Sequence, residues 1–554
     1  MGKYIKLFET HTEYEAFTQT EDFILPNVSH CITENHVHYN PWTWANAYLT
    51  FVAKESSTFT FTPQNSNVIS YSTDGGETWT EGNTVSVNNG DKVMWKGTMT
   101  PSTSSPQGIG TFSSTGNFDV QGNIMSLLHG DNFKGQIDLT EKDYAFYRLF
   151  YNNKKVASAE NLSLSATTLA EHCYDYMFSF CTNLTTAPAL PATTLAEYCY
   201  NQMFRSCESL VNAPQLSTTT LANNCYQGMF SGCTSLTTAP ELPATTLVSG
   251  CYNSMFAGCT SLTTAPVLPA QTLTDSCYES MFGGCTSLVN APELPATTLA
   301  NECYSSMFSG CTSLTTAPVL PVTTLASGCY YSMFRGCTSL TTAPELPATT
   351  LATSCYSSMF YGCTGLVSAP ELPATTLAGY CYMNMFFGCT SLTTAPALPA
   401  TTLTTRCYYQ MFQGCTSLTT APALPATTLG IDCCQYMFKG CTSLTTVPSV
   451  LPATTLADFC YYEMFYGCTS LTTAPVLPAT TFAYRCYQSM FQGCTSLNYI
   501  KAMFTTEPSK STTDNWVKGV SATGTFVKNS TARWTNTFTT YAIPTGWTVQ
   551  TASA

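Results

Sequence analysis

Charged residues are scarce in this sequence, and so are histidines. Only 10% of the 554 residues are charged, with 33 acidic against 20 basic side chains and a net charge of −13. Without a basic stripe to neutralise phosphates, nucleic acid is not expected as a partner. Of six histidines, only His172 lies inside a regular repeat, and no Gly-x-Ser-x-Gly, His-Glu-x-x-His or P-loop motif occurs. The sequence therefore predicts no catalytic site, no structural metal and no cofactor.

Long apolar runs are missing as well. No stretch approaches the ~20 residues that span a bilayer, so membrane insertion is not expected. The first residues also lack the apolar segment of a secretory signal before Glu9 and Glu13. A chain of this kind that acts outside the cell would have to leave it by another route, such as lysis.

A 26-residue repeat fills most of the chain. A block close to Cys-Tyr-x-x-Met-Phe-x-Gly-Cys occurs thirteen times, and one step of 27 residues arises where Ser449-Val450 lengthens a loop. The blocks begin at Cys173, Cys199, Cys225, Cys251, Cys277, Cys303, Cys329, Cys355, Cys381, Cys407, Cys433, Cys460 and Cys486. A fixed period of this length predicts a solenoid in which each unit stacks on its neighbours.

Each half of the repeat carries its own structural signal. At 100° per residue, the fixed residues of the block fall within roughly 140° of a helix surface, which predicts an amphipathic helix of two to three turns. The other half, Leu236 to Leu247, reads as extended, but Pro240 and Pro243 restrict a parallel strand to about five residues ending at Ala239. The expected fold is an α/β solenoid with short parallel strands and short helices.

These residues resemble a known family. The Leu-x-x-apolar and Leu-Pro spacing, followed by an apolar-Phe-x-x-Cys unit, is similar to the BspA-like leucine-rich repeats of bacterial surface proteins. The resemblance covers about two thirds of the chain. It implies a leucine-rich repeat fold and, for function, only adhesion or binding.

Cysteine is abundant, and 26 of the 28 cysteines occupy the two repeat positions. Two cysteines eight residues apart on a helix would lie roughly 12 Å apart, too far for a disulfide. Our interpretation is that they are buried free thiols that act as small apolar core residues. Disulfides between neighbouring repeats and metal binding are the alternatives.

We divide the chain into four parts by composition. Residues 1–42 form an attachment or leader segment, 43–138 an all-β sandwich-like domain, 139–500 the solenoid and 501–554 a β-like C-terminal cap. The solenoid comprises a degenerate repeat from Asp143, predicted to be a polar N-terminal cap, and the thirteen regular repeats.

The leader segment resembles virion-associated proteins of bacteriophages, or prophages, of gut Bacteroidales. The motifs concerned are Lys6-Leu-Phe8, Glu13-Tyr-Glu15, Leu25-Pro-Asn-Val-Ser29 and Val37-His-Tyr-Asn-Pro41. The resemblance implies attachment to a virion structural protein. Cys31, His36 and His38 in the same segment could ligate a metal, although a strand and turn with two exposed histidines is the simpler interpretation.

The second part shows period-two alternation in five segments between turn-rich sequences, which predicts a sandwich of roughly six to eight strands. The segments are Tyr48–Val52, Thr58–Thr62, Asn67–Tyr71, Thr84–Val87 and Lys92–Trp95. Ser72 to Trp79 resembles the Asp-box hairpin of sialidase propellers. A single copy is not a propeller, and the box is a structural turn, so no sialidase activity is expected.

Two surfaces could bind a ligand. One is the strand side, where a Thr-Thr pair recurs and is replaced by Val-Asn or Val-Ser at Asn212, Asn290 and Ser368, every third repeat. The threonines that we expect to face solvent are Thr238, Thr264, Thr316, Thr342, Thr394 and Thr420. Such hydroxyls could bond a glycan, and regular threonine rows also occur on ice-binding solenoids. Threonine is also simply a good strand former.

The second surface is the outward side of the predicted helix. Its variable positions are rich in Tyr and Arg, the residues that binding surfaces favour. The candidates are Tyr176, Arg205, Tyr331, Arg335, Tyr361, Arg406, Tyr409, Tyr462 and Arg485, and Lys439 stands at a variable position of the same face. Free drift of exposed positions is the alternative explanation.

The sequence as a whole predicts a non-enzymatic binding protein. Its partner would be a cell-surface or mucosal ligand, either glycan or protein, and its location a virion or the extracellular surface. The first hypothesis places it on a phage particle through the leader segment. The alternative is a bacterial cell-surface adhesin of the same architecture.

Overall fold

The structure is a computed structural model that describes residues 44–101, 107–532 and 541–552 in full, and the backbone of 30–33 and 36–39. Its strands are β1 (His30–Thr33), β2 (His36–Tyr39), β3 (Leu49–Ala53), β4 (Ser57–Pro63), β5 (Ile69–Ser72), β6 (Thr80–Glu81), β7 (Thr84–Val87), β8 (Lys92–Gly97), β9 (Gly110–Ser114), β10 (Phe118–Asn123), β11 (Val156–Ser163), β12 (Tyr499–Ala502), β13 (Thr525–Lys528) and β14 (Thr548–Thr551). The helices are α1 (Ser126–His129), a 3₁₀ turn (Gly130–Asn132) and α2 (Lys510–Thr513).

The described residues of the second part form mainly strands, as its period-two alternation predicts, with a short helix and a 3₁₀ turn at its end. A six-stranded sheet in the order β11-β10-β3-β8-β5-β6 packs on a three-stranded sheet in the order β7-β4-β9. Residues of β4 alternate between buried and partly exposed, as expected for a strand with one core face. Phe51 joins the two sheets, because its ring contacts Phe59 at 5.4 Å and Phe112 at 4.7 Å between centroids.

The predicted amphipathic helix of the repeats is wrong. Residues 139–500 are all described, and none of them is helical. Each block is instead a series of tight turns whose N–H groups alternate between two partners. Met281 and Cys285 donate to carbonyls three residues back, at 3.2 and 3.0 Å, whereas Phe282 and Gly284 donate to the next repeat at 2.9 and 2.6 Å. The α/β prediction is therefore corrected to a solenoid of turns and single bridges.

The backbone conformation explains why no helix forms. Every fourth residue of the block has a positive φ, for example 52° at Ser276, 53° at Ser280 and 75° at Gly284. A left-handed residue cannot continue a right-handed helix. The third such position is glycine in most repeats, because glycine adopts a positive φ without strain. Space is not the reason, since a Cβ on Gly284 would lie at an ordinary contact distance of 3.6 Å from the Cα of Gly258.

The extended half of the repeat forms isolated parallel bridges and not continuous strands. One column of bridges joins residues such as Thr238 and Thr264, or Thr394 and Thr420. A second column, in the Pro-Ala-Thr-Thr segment, joins residues such as Thr272 and Thr298. The prolines explain the shortness of these contacts, since they lack the N–H that would extend a ladder.

The core of the solenoid consists of columns of identical side chains. Neighbouring Phe rings from Phe150 to Phe491 are 5.1 to 5.8 Å apart with interplanar angles of 1 to 9°. A Tyr column runs beside them from Tyr174 to Tyr408. Parallel rings at this separation are offset stacks, and burial of each ring stabilises the fold by roughly 1.5–3 kcal/mol.

The repeat cysteines line the same core. All 27 cysteines in the fully described residues are buried free thiols. The second thiol of each block donates to the Phe carbonyl of the preceding repeat, as Cys285 Sγ does to Phe256 O at 3.1 Å. Burial raises the pKa of these thiols, for Cys233 to about 12.

The N-terminal end of the solenoid is closed by the sandwich. The degenerate repeat bonds to the first regular repeat through Phe150 N–H to Met177 O at 2.9 Å, but its other side is not a polar surface. Phe112 of β9 stacks on Phe150 at 5.7 Å, and β10 pairs in parallel with β11. The predicted polar cap is therefore corrected, because a repeat whose open side is covered by another domain needs no polar face.

At the C-terminal end, the solenoid continues beyond the last regular repeat. Trp516 takes the place of Phe, accepts the N–H of Phe491 on its carbonyl at 2.8 Å, and is fully buried. Its indole N–H donates to Ala542 O at 2.9 Å. Strands β12, β13 and β14 form a parallel sheet over this end.

Candidate binding surfaces

The variable positions of the repeats lie on the outer side of the turns, which we call the outer turn face. Towards the C-terminal end of this face, aromatic and cationic side chains gather in a group that we call the aromatic–cation patch. Its members are partly or fully exposed: Arg335, Tyr361, Tyr380, Phe387, Arg406, Tyr409, Tyr436, Lys439, Phe459, Tyr462, Tyr466, Tyr484 and Arg485.

The patch begins with a three-residue stack that crosses three consecutive repeats. The Arg335 guanidinium lies 4.4 Å from the centroid of the Tyr361 ring. Tyr361 in turn stacks on Phe387 at 4.5 Å with an interplanar angle of 1°. A cation over an aromatic face is stabilised by roughly 0.5–2 kcal/mol, so the stack holds Arg335 in place.

The middle of the patch is built around two ion pairs. Arg406 Nε lies 2.9 Å from an Asp432 carboxylate oxygen, and this hydrogen bond raises the pKa of Arg406. Lys439 Nζ lies 2.7 Å from a Glu463 oxygen. Both acids are mostly shielded from solvent, whereas both cations are about a third exposed or more, so the cations are the accessible members of the two pairs.

Tyrosines connect these pairs. Tyr436 contacts Tyr409 at 5.7 Å and Tyr462 at 5.4 Å, in both cases edge to face. Partial burial raises the pKa of all three hydroxyls, and the Glu463 carboxylate adds to the effect at Tyr436 and Tyr462. The hydroxyls therefore stay protonated at neutral pH and can donate hydrogen bonds.

The patch ends at Arg485, whose guanidinium lies 4.9 Å from the Tyr484 ring and 5.8 Å from the Phe459 ring. Tyr484 is 48% exposed. A large exposed aromatic ring held next to a cation is typical of a recognition surface.

Two of the predicted residues, Tyr176 and Arg205, lie in a separate group at the N-terminal end of the outer turn face. The Arg148 guanidinium is 5.1 Å from the Tyr176 ring, and Arg205 is 5.6 Å from Phe180. In the same region, His172 is stacked between Tyr144 and Tyr198 at 4.6 and 4.7 Å. Tyr331, which is 40% exposed, lies between this group and the patch in sequence.

The sequence missed six members of the patch: Tyr380, Phe387, Tyr436, Phe459, Tyr466 and Tyr484. All six are variable positions of the repeat, so the signal was present. The sequence pattern could not predict which of these positions contact each other across adjacent repeats, because that depends on the turn conformation.

The predicted threonines lie in one exposed column, in which Asn290 and Ser368 interrupt the series. Thr238, Thr264, Thr316, Thr342, Thr394 and Thr420 are all exposed and all take part in the first column of bridges. Both members of each pair face solvent, Thr237 as well as Thr238, whereas a strand would have exposed one. The difference follows from the isolated bridges, which do not impose alternation.

A second exposed threonine column was not predicted from the sequence. Each Pro-Ala-Thr-Thr segment contributes to it, for example Thr272, Thr298 and Thr350. Where Gln271 replaces threonine, a shallow groove of about 380 Å³ is lined by Thr246, Thr272 and Thr274 among others. Its walls carry no charged side chain.

The metal candidate in the leader falls on strands whose side chains lie outside the described residues. The backbone places Cys31 opposite His38 in the β1–β2 hairpin. Elsewhere, the described residues contain no group of three or more His, Cys, Asp and Glu side chains that could hold a metal ion. No helix in the described part of the chain has the length and apolar character needed to cross a membrane.

Comparison with known proteins matches the repeats. The family model for the BspA type leucine rich repeat region matches residues 226–341, 330–445 and 405–513, which together span just over half of the chain. This model describes a repeat and not an enzyme, and nothing in the match bears on the phage resemblance. No curated protein matches the chain.

Two solved structures are similar over long stretches. A leucine-rich repeat protein from Bacteroides ovatus ATCC 8483 has 18% identity and a TM-score of 0.43, covering 79% of this chain and 96% of its own. A leucine-rich repeat protein from Eubacterium ventriosum ATCC 27560 has 15% identity and a TM-score of 0.29, covering 65% of this chain and 86% of its own. At these TM-scores they add nothing to what the family model gives.

Proposed function

Because the chain belongs to the BspA type leucine-rich repeat family, we propose that it is a non-enzymatic binding protein that attaches to a cell-surface or mucosal ligand. The binding surface in this proposal is the aromatic–cation patch. A bacterial surface adhesin is the form that the family supports better. A place on a phage particle, held by the leader segment, is the other form and rests only on the resemblance of the chain ends.

The observation that carries the proposal is the gathering of large aromatic and cationic side chains at one position of the repeat. Tyr380, Arg406, Phe459 and Arg485 stand directly before the first cysteine of their blocks, where the backbone has a positive φ in every repeat. In the six repeats before Tyr380 this position holds smaller or acidic residues, namely Asn224, Gly250, Ser276, Glu302, Gly328 and Ser354. The backbone conformation is therefore common to all repeats, and what is particular to the patch is its Tyr, Phe and Arg side chains, which binding surfaces favour.

The chemistry of the patch fits an extended, hydroxyl-rich ligand. Stacked rings present edges and exposed faces, while Arg335, Arg485 and the tyrosine hydroxyls offer hydrogen-bond donors. Tyr and Arg dominate binding hot spots because they combine apolar area with directed polar contacts at low entropic cost. A glycan that runs along the repeats would meet a new donor or ring in each one.

The test is binding of the labelled full-length protein to Bacteroidales cells and to immobilised mucin, each with and without periodate oxidation of the glycans. We expect saturable binding that periodate abolishes and that Arg335→Ala combined with Tyr361→Ala weakens at least tenfold. The matched control is Glu279→Ala with Glu302→Ala on the same face outside the patch. Equal loss in the control, or full binding by the patch variant, would contradict the proposal.

The same assay separates the patch from the threonine column. Thr342→Val with Thr394→Val removes two exposed hydroxyls at nearly constant volume. If this variant alone loses binding, the ligand lies on the bridge side of the solenoid and the patch assignment is wrong.

A further inference from the structure

A second cluster of aromatic and charged side chains lies on the sandwich, far along the chain from the patch. The Lys96 ammonium is 4.1 Å from the centroid of the Trp79 ring and 2.7 Å from Asp131 Oδ1. The Tyr48 hydroxyl donates to the same Oδ1 at 2.8 Å. Tyr48 also contacts the edge of Trp79, with 4.8 Å between ring centroids.

The cluster is held rigidly by the elements that carry it. Trp79 follows the Asp-box turn, in which the Asp74 carboxylate accepts the Thr78 N–H at 3.0 Å and the Ser72 hydroxyl at 2.7 Å. The Tyr48 ring packs on the fully buried Phe133 at 4.9 Å. Side chains fixed in this way lose little entropy when a ligand binds.

Part of the cluster's hydrogen-bonding capacity is unused. Both bonds to Asp131 end on Oδ1, and no described residue bonds Oδ2, although the Asp131 side chain is 65% exposed. The Trp79 indole N–H likewise has no partner among the described residues. Hydrogen bonds from Lys96 and Tyr48 lower the pKa of Asp131, so the free oxygen is an anionic acceptor at neutral pH.

From this geometry we propose that Trp79, Asp131 and Lys96 form a binding site for a neutral saccharide. The Lys96 ammonium lies over one face of the indole, 4.1 Å from its centroid, so a pyranose ring would pack its C–H groups against the part of the indole that this ammonium leaves exposed. At the rim of the indole, one sugar hydroxyl would donate to Asp131 Oδ2 and another would accept from Lys96. A small set of fixed polar groups beside an aromatic surface is the usual composition of a small-ligand site, and hydrogen bonds to charged groups are the stronger ones.

Neutrality of the ligand follows from the charge balance of the cluster. The Lys96 charge is already matched by Asp131 at 2.7 Å. An anionic sugar would have to compete with that carboxylate and would meet Oδ2, a like charge, so it is disfavoured. A neutral sugar uses both groups without breaking the pair.

The test is titration of the full-length protein with glucose, galactose, mannose, N-acetylglucosamine, maltose, lactose and glucuronate, followed by calorimetry and tryptophan fluorescence. We expect at least one neutral sugar to bind. Asp131→Asn should weaken it at least tenfold, Trp79→Ala should abolish it, and Trp79→Phe should retain part of it. Melting temperatures of the variants verify that the sandwich remains folded.

Binding of none of the neutral sugars would overturn the proposal, as would unchanged affinity in both Trp79→Ala and Asp131→Asn. A preference for glucuronate that survives Asp131→Asn would also reject it. The Tyr361→Ala variant serves as the control, since it should leave this titration unchanged. A failure here is therefore distinguishable from a failure of the patch on the solenoid.

Discussion

At the scale of single residues, the second cysteine of each repeat has a role that small size alone does not explain. The Phe256 carbonyl accepts the N–H of Cys259 at 3.0 Å and the S–H of Cys285 at 3.1 Å. A carbonyl oxygen has two lone pairs, and the thiol occupies the second. Alanine or valine would leave that lone pair empty, while serine would bring a more strongly hydrated group into an apolar core.

Alkaline pH should unfold the solenoid selectively. Burial raises the pKa of the Cys233 thiol from 9.0 to about 12, and other thiols of the column are affected in the same way. Because the folded pKa is the higher one, the stabilisation is complete below pH 9 and is lost as pH rises towards 12. Each such thiol lowers the free energy of unfolding by roughly 1.4 kcal/mol for every pH unit within that window.

Hydrogen exchange between pH 8 and 10.5, corrected for its intrinsic rate, measures this effect. Protection of the repeats should fall steeply with pH. The sandwich is the internal control, because residues 44–138 contain no cysteine. Equal loss of protection in the sandwich would show that another group governs alkaline unfolding.

At the scale of the repeat element, the turns could not be distinguished from a helix by pattern alone. The core positions Cys277, Tyr278, Met281, Phe282 and Cys285 follow a spacing of 0, 1, 4, 5 and 8. A period of four and a period of 3.6 both place them on one side over so short a block. The repeat length, the solenoid and the buried side were therefore predictable, whereas the conformation depended on bonds between repeats.

A pair of adjacent glycines tests the turn conformation. Gly284 has a φ of 75°, whereas Gly283 is not among the residues with positive φ. We expect Gly284→Ala to lower the free energy of unfolding by about 1–2 kcal/mol, since alanine is strained at positive φ. Gly283→Ala should change it by less than about 1 kcal/mol. Urea denaturation of the two variants beside the parent gives both values.

The two glycines also separate the turn from the helix. In a helix interior, alanine is favoured over glycine by about 1 kcal/mol at either position. Stabilisation by both substitutions would therefore contradict the turns. The candidate site follows the same logic: single residues such as Arg335 and Tyr361 could be predicted from composition, but their contact across repeats could not.

At the scale of the whole molecule, one apolar core extends from Leu49 in the sandwich to Trp547 near the C-terminal end. The Phe column does not stop at the first repeat, because Phe112 of the sandwich continues it. Backbone bonds cross the same junction, with Phe112 N–H donating to Leu149 O at 2.8 Å. In a repeat protein each unit is stabilised by its immediate neighbours, so the sandwich takes the place of a preceding repeat for the degenerate repeat.

Removal of the sandwich should therefore destabilise the solenoid from that end. In a fragment of residues 139–554, Phe150 loses the ring of Phe112, β11 loses its pairing with β10, and the Phe150 face is exposed to water. For scale, deletion of a buried Phe ring lowers the free energy of unfolding by about 3–5 kcal/mol.

Hydrogen exchange measures the effect of removing the sandwich. We expect the amides of residues 143–200 to lose protection and those of residues 330–490 to stay as protected as in the full chain, because each repeat is stabilised only by its neighbours. Phe112→Ala in the full chain should weaken the same region and also the sandwich core, because the Phe112 ring packs on Phe51 and Trp95 as well as on Phe150. If the fragment were protected throughout as in the full chain, the sandwich would be an independent domain and the solenoid would close its own end.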